Sequence, residues 1–214
     1  MQGALIATLV VGADIPPLRL SVLKTLLQPS LIDSYRCTDN DCLREDCLGN
    51  HVEVEGGNEL GVGGTGVILH IIHHKNDRRG HWGDPLSITL PEGAFLRLML
   101  VHIQQGRDMI TSWQKTPELF VSNLGRVFSD STFVHYWTSL MRTAAAFKIP
   151  RFPPSDGRTI FVEDFTSSQH PNKWEGAALI MGNTTQQWRA SYMPSKKQRL
   201  VAAAVENHAS FTGM

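Results

Sequence analysis

Residues 67–92 read VILHIIHHKNDRRGHWGDPLSITLPE, and this stretch decides the predicted fold. Two β-prone segments, residues 67–74 and 85–90, flank a polar tip that contains Lys75, Arg78 and Arg79. The pattern predicts a β-hairpin with a long basic tip. A tip of this kind is too polar for a protein core, so it is either a solvated loop or a surface that binds phosphate groups.

Further helix and strand patterns lie before and after the hairpin in the sequence. Residues 51–55 alternate as a short strand, and apolar residues in 4–11 and 18–27 indicate two short helices joined at a proline pair. Further helices are predicted to open at Pro91 and end near Gly106, to start at Ser129 or Asp130, and to cover residues 175–181, 185–191 and 195–207. The sequence therefore predicts one domain over residues 1–214, mainly α with a small antiparallel β-sheet (α+β).

Two segments have no single interpretation from the sequence. In residues 157–169, Thr159 to Val162 favour a strand, whereas the acidic and hydroxyl residues that follow could open a helix. Residues 33–51 form a polar insert in which Cys37, Cys42, Cys47 and His51 follow the spacing C-x4-C-x4-C-x3-H. Four potential soft ligands in a segment with little core of its own could hold a structural zinc ion. The alternative is a set of reduced surface thiols.

Composition limits the classes of protein to which the chain can belong. With 214 residues and 42% hydrophobic residues, there is enough apolar material for one real core. No apolar run reaches the ~18 residues of a membrane span, and the opening stretch lacks the basic region of a signal peptide. We expect an intracellular protein, nuclear in a eukaryote, with no membrane partner.

The net charge of zero conceals an asymmetry along the chain. Residues 1–60 contain four basic and nine acidic side chains, and residues 61–214 contain 16 basic and 11 acidic ones. A neutral total argues against a simple nucleic-acid-binding protein. The basic excess after residue 60 nevertheless leaves room for contact with a polyanion.

Four stretches, in order, resemble the tyrosine recombinases, the phage-integrase-like enzymes that break and rejoin DNA, and especially their eukaryotic mobile-element relatives. LRLSVL at residues 18–23 resembles the helix of the first arginine. HKN at 74–76 with ITLP at 88–91 resembles the hairpin of the catalytic lysine. LFVS at 119–122, continuing to Phe133, resembles the passage between them and the final motifs. ALIMGN at 178–183, with Tyr192 nine residues after Asn183, resembles the glycine-histidine box and the nucleophilic tyrosine.

The resemblance implies the fold of a recombinase catalytic domain and a reaction that requires no metal. Tyr192 would be the nucleophile, Arg19 the first phosphate clamp and Lys75 the general acid. Double-stranded DNA would be the partner, contacted by Lys75, Arg78 and Arg79, with a homo-oligomer assembled on the DNA. The N-terminal domain with which the family clamps the far side of DNA is absent from the predicted organisation, so we expect weak DNA affinity.

The chain departs from the family pattern at two motifs. The region that corresponds to the His-x-x-Arg box, residues 161–168, contains neither histidine nor arginine, and Arg158 is the arginine close enough to replace it. Asn183 stands where the family has histidine, and an amide can bond a phosphate oxygen but cannot exchange a proton near neutral pH. Losing one such donor typically costs about 10²-fold in rate, so the enzyme could be active or decayed.

Three functions follow from the sequence. The first is DNA breaking and rejoining, as in site-specific recombination or integration, through a phosphotyrosine intermediate. The second is a non-catalytic DNA-binding module that keeps the recombinase fold. The third is a zinc-stapled interaction domain unrelated to DNA.

Overall fold

A computed structural model describes residues 1–12, 15–29, 49–56, 63–72, 85–110, 116–168, 173–181 and 186 of the chain. These residues form helices and one three-stranded antiparallel sheet, which confirms the predicted α+β class. The hairpin tip, most of the cysteine insert and the predicted helices at 185–191 and 195–207 lie outside the described residues, apart from residue 186.

The helices and strands follow the predicted order closely. In chain order they are α1 Gln2–Val11, α2 Leu20–Thr25, β1 His51–Glu55, β2 Gly66–Ile71, β3 Leu86–Thr89, α3 Ala94–Val101, a π-helix His102–Gly106, α4 Arg107–Ile110, α5 Asp130–Ala145, α6 Asp156–Ser168 and α7 Trp174–Ile180.

The sheet has its strands in the order β1-β2-β3, each antiparallel to its neighbour. His51 is opposite His70, and His70 is opposite Ser87, so these three side chains share the outer face. Because side chains alternate between the faces of a strand, the residues between them turn inward. The buried inner face includes Val52, Val67, Leu69, Ile71 and Ile88.

Helix α1 lies at the centre of the core. It is apolar on nearly all sides, as expected of a helix surrounded by other elements, and Leu5, Ile6 and Leu9 are fully buried. It packs against α2, α3 and α6. At Gly3 a side chain would collide with Leu140 of α5, so the small residue allows α5 to approach closely.

The helix predicted from Pro91 to Gly106 differs from expectation at both ends. It begins at Ala94, after a turn, and it continues through the π-helix into α4, which ends at Ile110. A π-helix adds a residue to the helical turn and so changes which side chains face inward. Phe95 and Met99 of α3 are buried, whereas Leu98 is 39% exposed.

Helix α5 begins where the sequence predicted. The Ser129 side chain accepts a hydrogen bond from the backbone N–H of Thr132, and the Thr132 side chain accepts one from the backbone N–H of Ser129, which completes a capping box. Phe133, Trp137 and Met141 are buried on one stripe of the helix.

The ambiguous residues 157–169 are helical through Ser168. Helix α6 packs along α1 and α7, and this tertiary packing overrides the strand preference of Thr159 to Val162. Within the described ranges, no helix is both long and apolar enough to cross a membrane.

His102, in the π-helix, is a fully buried histidine. Its Nε2 lies 3.3 Å from the Leu119 carbonyl oxygen, and its ring stacks on Phe120. The pKa of His102 is lowered to about 4, mainly by burial and in smaller part by the nearby Arg107 charge, although the bond to Leu119 opposes the shift. The imidazole is therefore neutral at physiological pH.

This burial predicts a loss of stability in acid. The unfolded chain binds a proton near pH 6.5, whereas the folded chain binds it only near pH 4, so acidification between these values favours unfolding. We expect His102 to account for a loss of about 3 kcal/mol in the free energy of unfolding across this window.

The measurement is urea unfolding from pH 7.5 to pH 4 of the wild type, His102→Leu and the control His135→Gln, which alters an exposed histidine of α5. The His102→Leu curve should be flatter with pH than the wild-type curve, and the control should follow the wild type. Equal slopes for His102→Leu and the wild type would contradict the assignment.

Candidate functional site

Three of the sequence-predicted site residues, Arg19, Arg158 and His51, belong to the described part of the chain. The other predicted residues lie outside it: Lys75, Arg78, Arg79, Cys37, Cys42, Cys47, Asn183 and Tyr192. The geometry of the site is therefore built from the two arginines and the elements that hold them.

Arg19 is positioned by the sharp turn that follows α1. Gly12 ends the helix with a φ of 83°, a left-handed conformation that favours glycine, and its N–H donates to the Thr8 carbonyl. The chain then folds back, so that the Leu18 N–H donates to the Leu9 carbonyl at 2.9 Å. Arg19 follows as the residue that caps the N-terminus of α2.

Arg158 reaches the same region because α6 begins against the end of α1. A Cβ atom on Gly157 would lie 2.5 Å from the Val10 carbonyl oxygen, so this glycine permits a backbone contact that other residues would block. Arg158 is the next residue. The end of α1 therefore brings together two arginines that are distant in sequence.

Helix α7 completes the site by packing on α6. Val162 of α6 forms a small buried cluster with Ala177, Ala178 and Met181, and Phe161 and Phe165 pack against it. The two alanines allow the helices to approach closely. Met181, immediately after the end of α7, is fully buried at this contact.

The two arginines converge on one backbone atom, the carbonyl oxygen of Met181. The Nε atom of Arg19 donates to it at 3.2 Å, and the Nη2 atom of Arg158 donates to it at 2.5 Å. The two nitrogen atoms can therefore be separated by no more than the sum of these distances. The guanidinium groups, both half-buried, are neighbours at the end of α7.

The convergence brings together charges of opposite sign. The C-terminus of a helix bears roughly −0.5 of an elementary charge, and the last turn of α7 contains no basic residue of its own. Two guanidinium groups bring two positive charges to this point and present planar forks of N–H donors that suit phosphate oxygens. Met181 is followed in the sequence by Gly182 and Asn183, the predicted box.

His51 is positioned on the outer face of the sheet. Its Nδ1 lies 3.0 Å from the Gly49 carbonyl oxygen, and its ring stacks on that of His70 with ring centroids 4.6 Å apart. Burial lowers the pKa of His51, which favours the neutral form that binds metals. If the Nδ1–H donates to Gly49, the Nε2 lone pair is available to a ligand.

The zinc prediction remains a prediction, because its three cysteines are not among the described residues. The part of the chain that the structure describes contains no group of three or more His, Cys, Asp or Glu side chains that could hold a metal. The His51 geometry is compatible with either of the two sequence-based alternatives, a zinc site or a set of reduced surface thiols.

Sequence reasoning missed the backbone partner that brings the arginines together. Motifs describe side chains, and nothing in residues 174–181 identifies the Met181 carbonyl as a shared acceptor. A usable signal was the absence of a basic residue in the last turn of α7, since such a terminus needs donors from elsewhere in the chain.

Comparison of the chain with protein-family models, with curated proteins and with solved structures finds no match.

The shared carbonyl predicts that the two arginines are energetically coupled. In Arg19→Met or Arg158→Met the remaining guanidinium still satisfies the Met181 oxygen, so neither single variant loses the contribution of that acceptor. The double variant should lose about 1 kcal/mol more than the sum of the single losses. Urea unfolding of the four proteins measures this coupling.

The control is Arg97→Met, which removes an exposed arginine of α3 that does not belong to the site. Its effect should add to that of Arg158→Met without coupling. Strict additivity of the Arg19 and Arg158 substitutions would be incompatible with a shared acceptor.

Proposed function

We propose that this protein is a DNA strand transferase of the tyrosine recombinase type, which breaks and rejoins double-stranded DNA through a phosphotyrosine intermediate. One observation carries the proposal: Arg19, which the resemblance gives as the first phosphate clamp, and Arg158, the arginine close enough to replace the second, donate to the same carbonyl oxygen. That oxygen belongs to Met181, which precedes Gly182 and Asn183 in the sequence. Enzymes of this type need two guanidinium groups close enough to contact a single phosphate.

The proposed reaction is a transfer of one phosphoester bond to another. The hydroxyl oxygen of Tyr192 forms a bond to the phosphorus of a DNA phosphodiester and releases its proton to solvent. The bond from phosphorus to the leaving sugar oxygen breaks, and this oxygen takes a proton from the Lys75 ammonium group. Attack by a sugar hydroxyl on the phosphotyrosine reverses the sequence and rejoins the strand.

The two arginines would act where negative charge accumulates. In the transition state the non-bridging oxygens of the phosphate gain charge, and preorganised guanidinium groups stabilise that charge without reorganising. Asn183 would donate one further hydrogen bond to an oxygen. Lys75, Arg78 and Arg79 would hold the duplex, and a homo-oligomer would form on the DNA, as the resemblance implies.

A second candidate, a DNA-binding module without catalysis, is favoured by one property of α6. The face of α6 toward α7 is apolar, with Val162, Phe161 and Phe165 in the region that corresponds to the His-x-x-Arg box. From this part of α6, Arg158 is the side chain that donates to the Met181 carbonyl oxygen. A site that lacks the histidines of the family could still bind DNA although it no longer cleaves DNA at a useful rate.

Covalent trapping distinguishes the two candidates and requires no defined target sequence. The protein is incubated with a pool of nicked duplexes whose sequence around the nick is randomised, so that a short cleaved fragment diffuses away and the adduct persists. An adduct that survives denaturing electrophoresis is the expected result for the wild type and for Tyr136→Phe. Tyr192→Phe should form none.

Tyr136→Phe is the matched control, since it removes one hydroxyl from a half-buried tyrosine of α5. Arg19→Ala and Arg158→Ala should each slow adduct formation by about 10²-fold or more. If the wild type gives no adduct but binds duplex with a steep salt dependence, the non-catalytic module is the better description. Metal analysis of the same preparation distinguishes a zinc-bound insert from reduced thiols.

A further inference from the structure

The helical segment over residues 94–110 exposes apolar side chains on its outer face. Helix α3, the π-helix and α4 follow one another there without a break, and their other side is buried in the core. On the outer face Leu98, Val101 and Met109 are 39%, 42% and 82% exposed. Apolar residues that recur along one side of a continuous helix form a stripe that can pack against another helix.

Two residues of opposite charge lie on the same outer face, one toward each end. Arg97 is exposed in α3, and Asp108 is exposed in α4. A helix rises about 1.5 Å per residue, so these side chains start about 16 Å apart and are too distant to pair within one copy. The two ion pairs found in the described part of the chain involve neither residue. Both charges are therefore available to a partner that packs on the stripe.

The pattern of this face is complementary to itself. When two copies pack the face antiparallel about a two-fold axis, each contact occurs twice with the roles of the copies exchanged. With the axis midway between Arg97 and Asp108, Arg97 of each copy lies opposite Asp108 of the other. Leu98 and Val101 of both copies then lie between the two ion pairs. A parallel arrangement would instead place like charges opposite each other, which disfavours it.

We infer that the protein forms an antiparallel homodimer through the outer face of α3, the π-helix and α4. Two Arg97–Asp108 ion pairs flank an apolar centre that consists of Leu98 and Val101 from each copy. The inference does not rest on the proposed function, since this dimer requires no DNA. One helical segment from each copy gives a small interface, so association should be weak, and salt should weaken it further by screening the ion pairs.

Reversing the charges singly and then together tests this arrangement. In Arg97→Asp both pairs become Asp with Asp, and in Asp108→Arg both become Arg with Arg. Each single variant should therefore dimerise about tenfold or more weakly than the wild type. The double variant keeps the wild-type net charge and restores both pairs with the signs exchanged, so its dissociation constant should lie within about threefold of the wild-type value.

The measurement is sedimentation equilibrium in low salt and without DNA. Protein concentrations extend to about 0.5 mM, because a weak dimer forms only at high concentration. Repeating the wild-type measurement at about 1 M salt should weaken the dimer, since the Debye length is then about 3 Å.

A mixture of the two single variants gives a second readout. Energy transfer between differently labelled proteins should show more mixed dimer than either variant forms alone, because mixing restores both ion pairs. Opposite net charges alone could also favour mixing. The control mixture therefore combines Asp108→Arg with Arg142→Asp, which alters an exposed residue of α5 and gives the same net charges. It should form less mixed dimer, since one of its two contacts remains Arg with Arg.

The apolar centre provides a variant that keeps every charge, in case a charge reversal does not fold. Val101→Gln should weaken the dimer about threefold or more, because a polar side chain replaces part of the apolar contact. The matched control is Val134→Gln in α5, where the valine is 49% exposed and lies outside the proposed interface. This control should dimerise like the wild type.

Each outcome decides the inference. Weaker dimers in the single variants with recovery in the double variant support it, as does a selective effect of Val101→Gln if a charge variant is unfolded. A wild type that stays monomeric overturns it and indicates that another part of the chain or a different partner covers this face. A dimer that is insensitive to these substitutions, or a double variant no tighter than the single ones, also overturns it. None of these results concerns adduct formation, so the proposed function is tested separately.

Discussion

The arrangement of the candidate site depends on one backbone atom, the carbonyl oxygen of Met181, which accepts hydrogen bonds from Arg19 and Arg158. A helix C-terminus leaves carbonyl oxygens without partners inside the helix, and α7 has no basic residue in its last turn to satisfy them. Arg19 and Arg158 supply donors from elsewhere in the chain, so two guanidinium groups meet at this atom.

This convergence follows from the way the core is built around α1. After α1 ends at Gly12, the chain returns toward α1, which places Arg19 near the end of that helix. The start of α6 packs against the same end at Gly157, which places Arg158 nearby. Both glycines are needed because a side chain at either position would collide with a neighbouring element. Helix α7 then reaches the arginines by packing Ala177, Ala178 and Met181 on α6. The apolar interior thus determines where the charged groups lie.

The strands, α1, α5 and α7 could be predicted from the sequence because local signals and tertiary packing agree there: the capping box at Ser129 and the alternation at residues 51–55 are examples. Prediction was incomplete where packing decides alone. Residues 159–162 prefer a strand but form part of α6. Arg19 and Arg158 could be selected as candidates, but the shared carbonyl could not, because its partners are distant in sequence.

The central claim is that Arg19, Arg158 and Tyr192 act on one phosphate. An experimental structure of the protein bound to a DNA duplex tests this most directly, through the distances from the Tyr192 hydroxyl oxygen and from both guanidinium groups to the nearest phosphorus atom. The account predicts that all three groups contact the same phosphate group. A Tyr192 hydroxyl more than about 15 Å from Arg19 and directed away from it would contradict the account, because no single phosphate could then be reached by both.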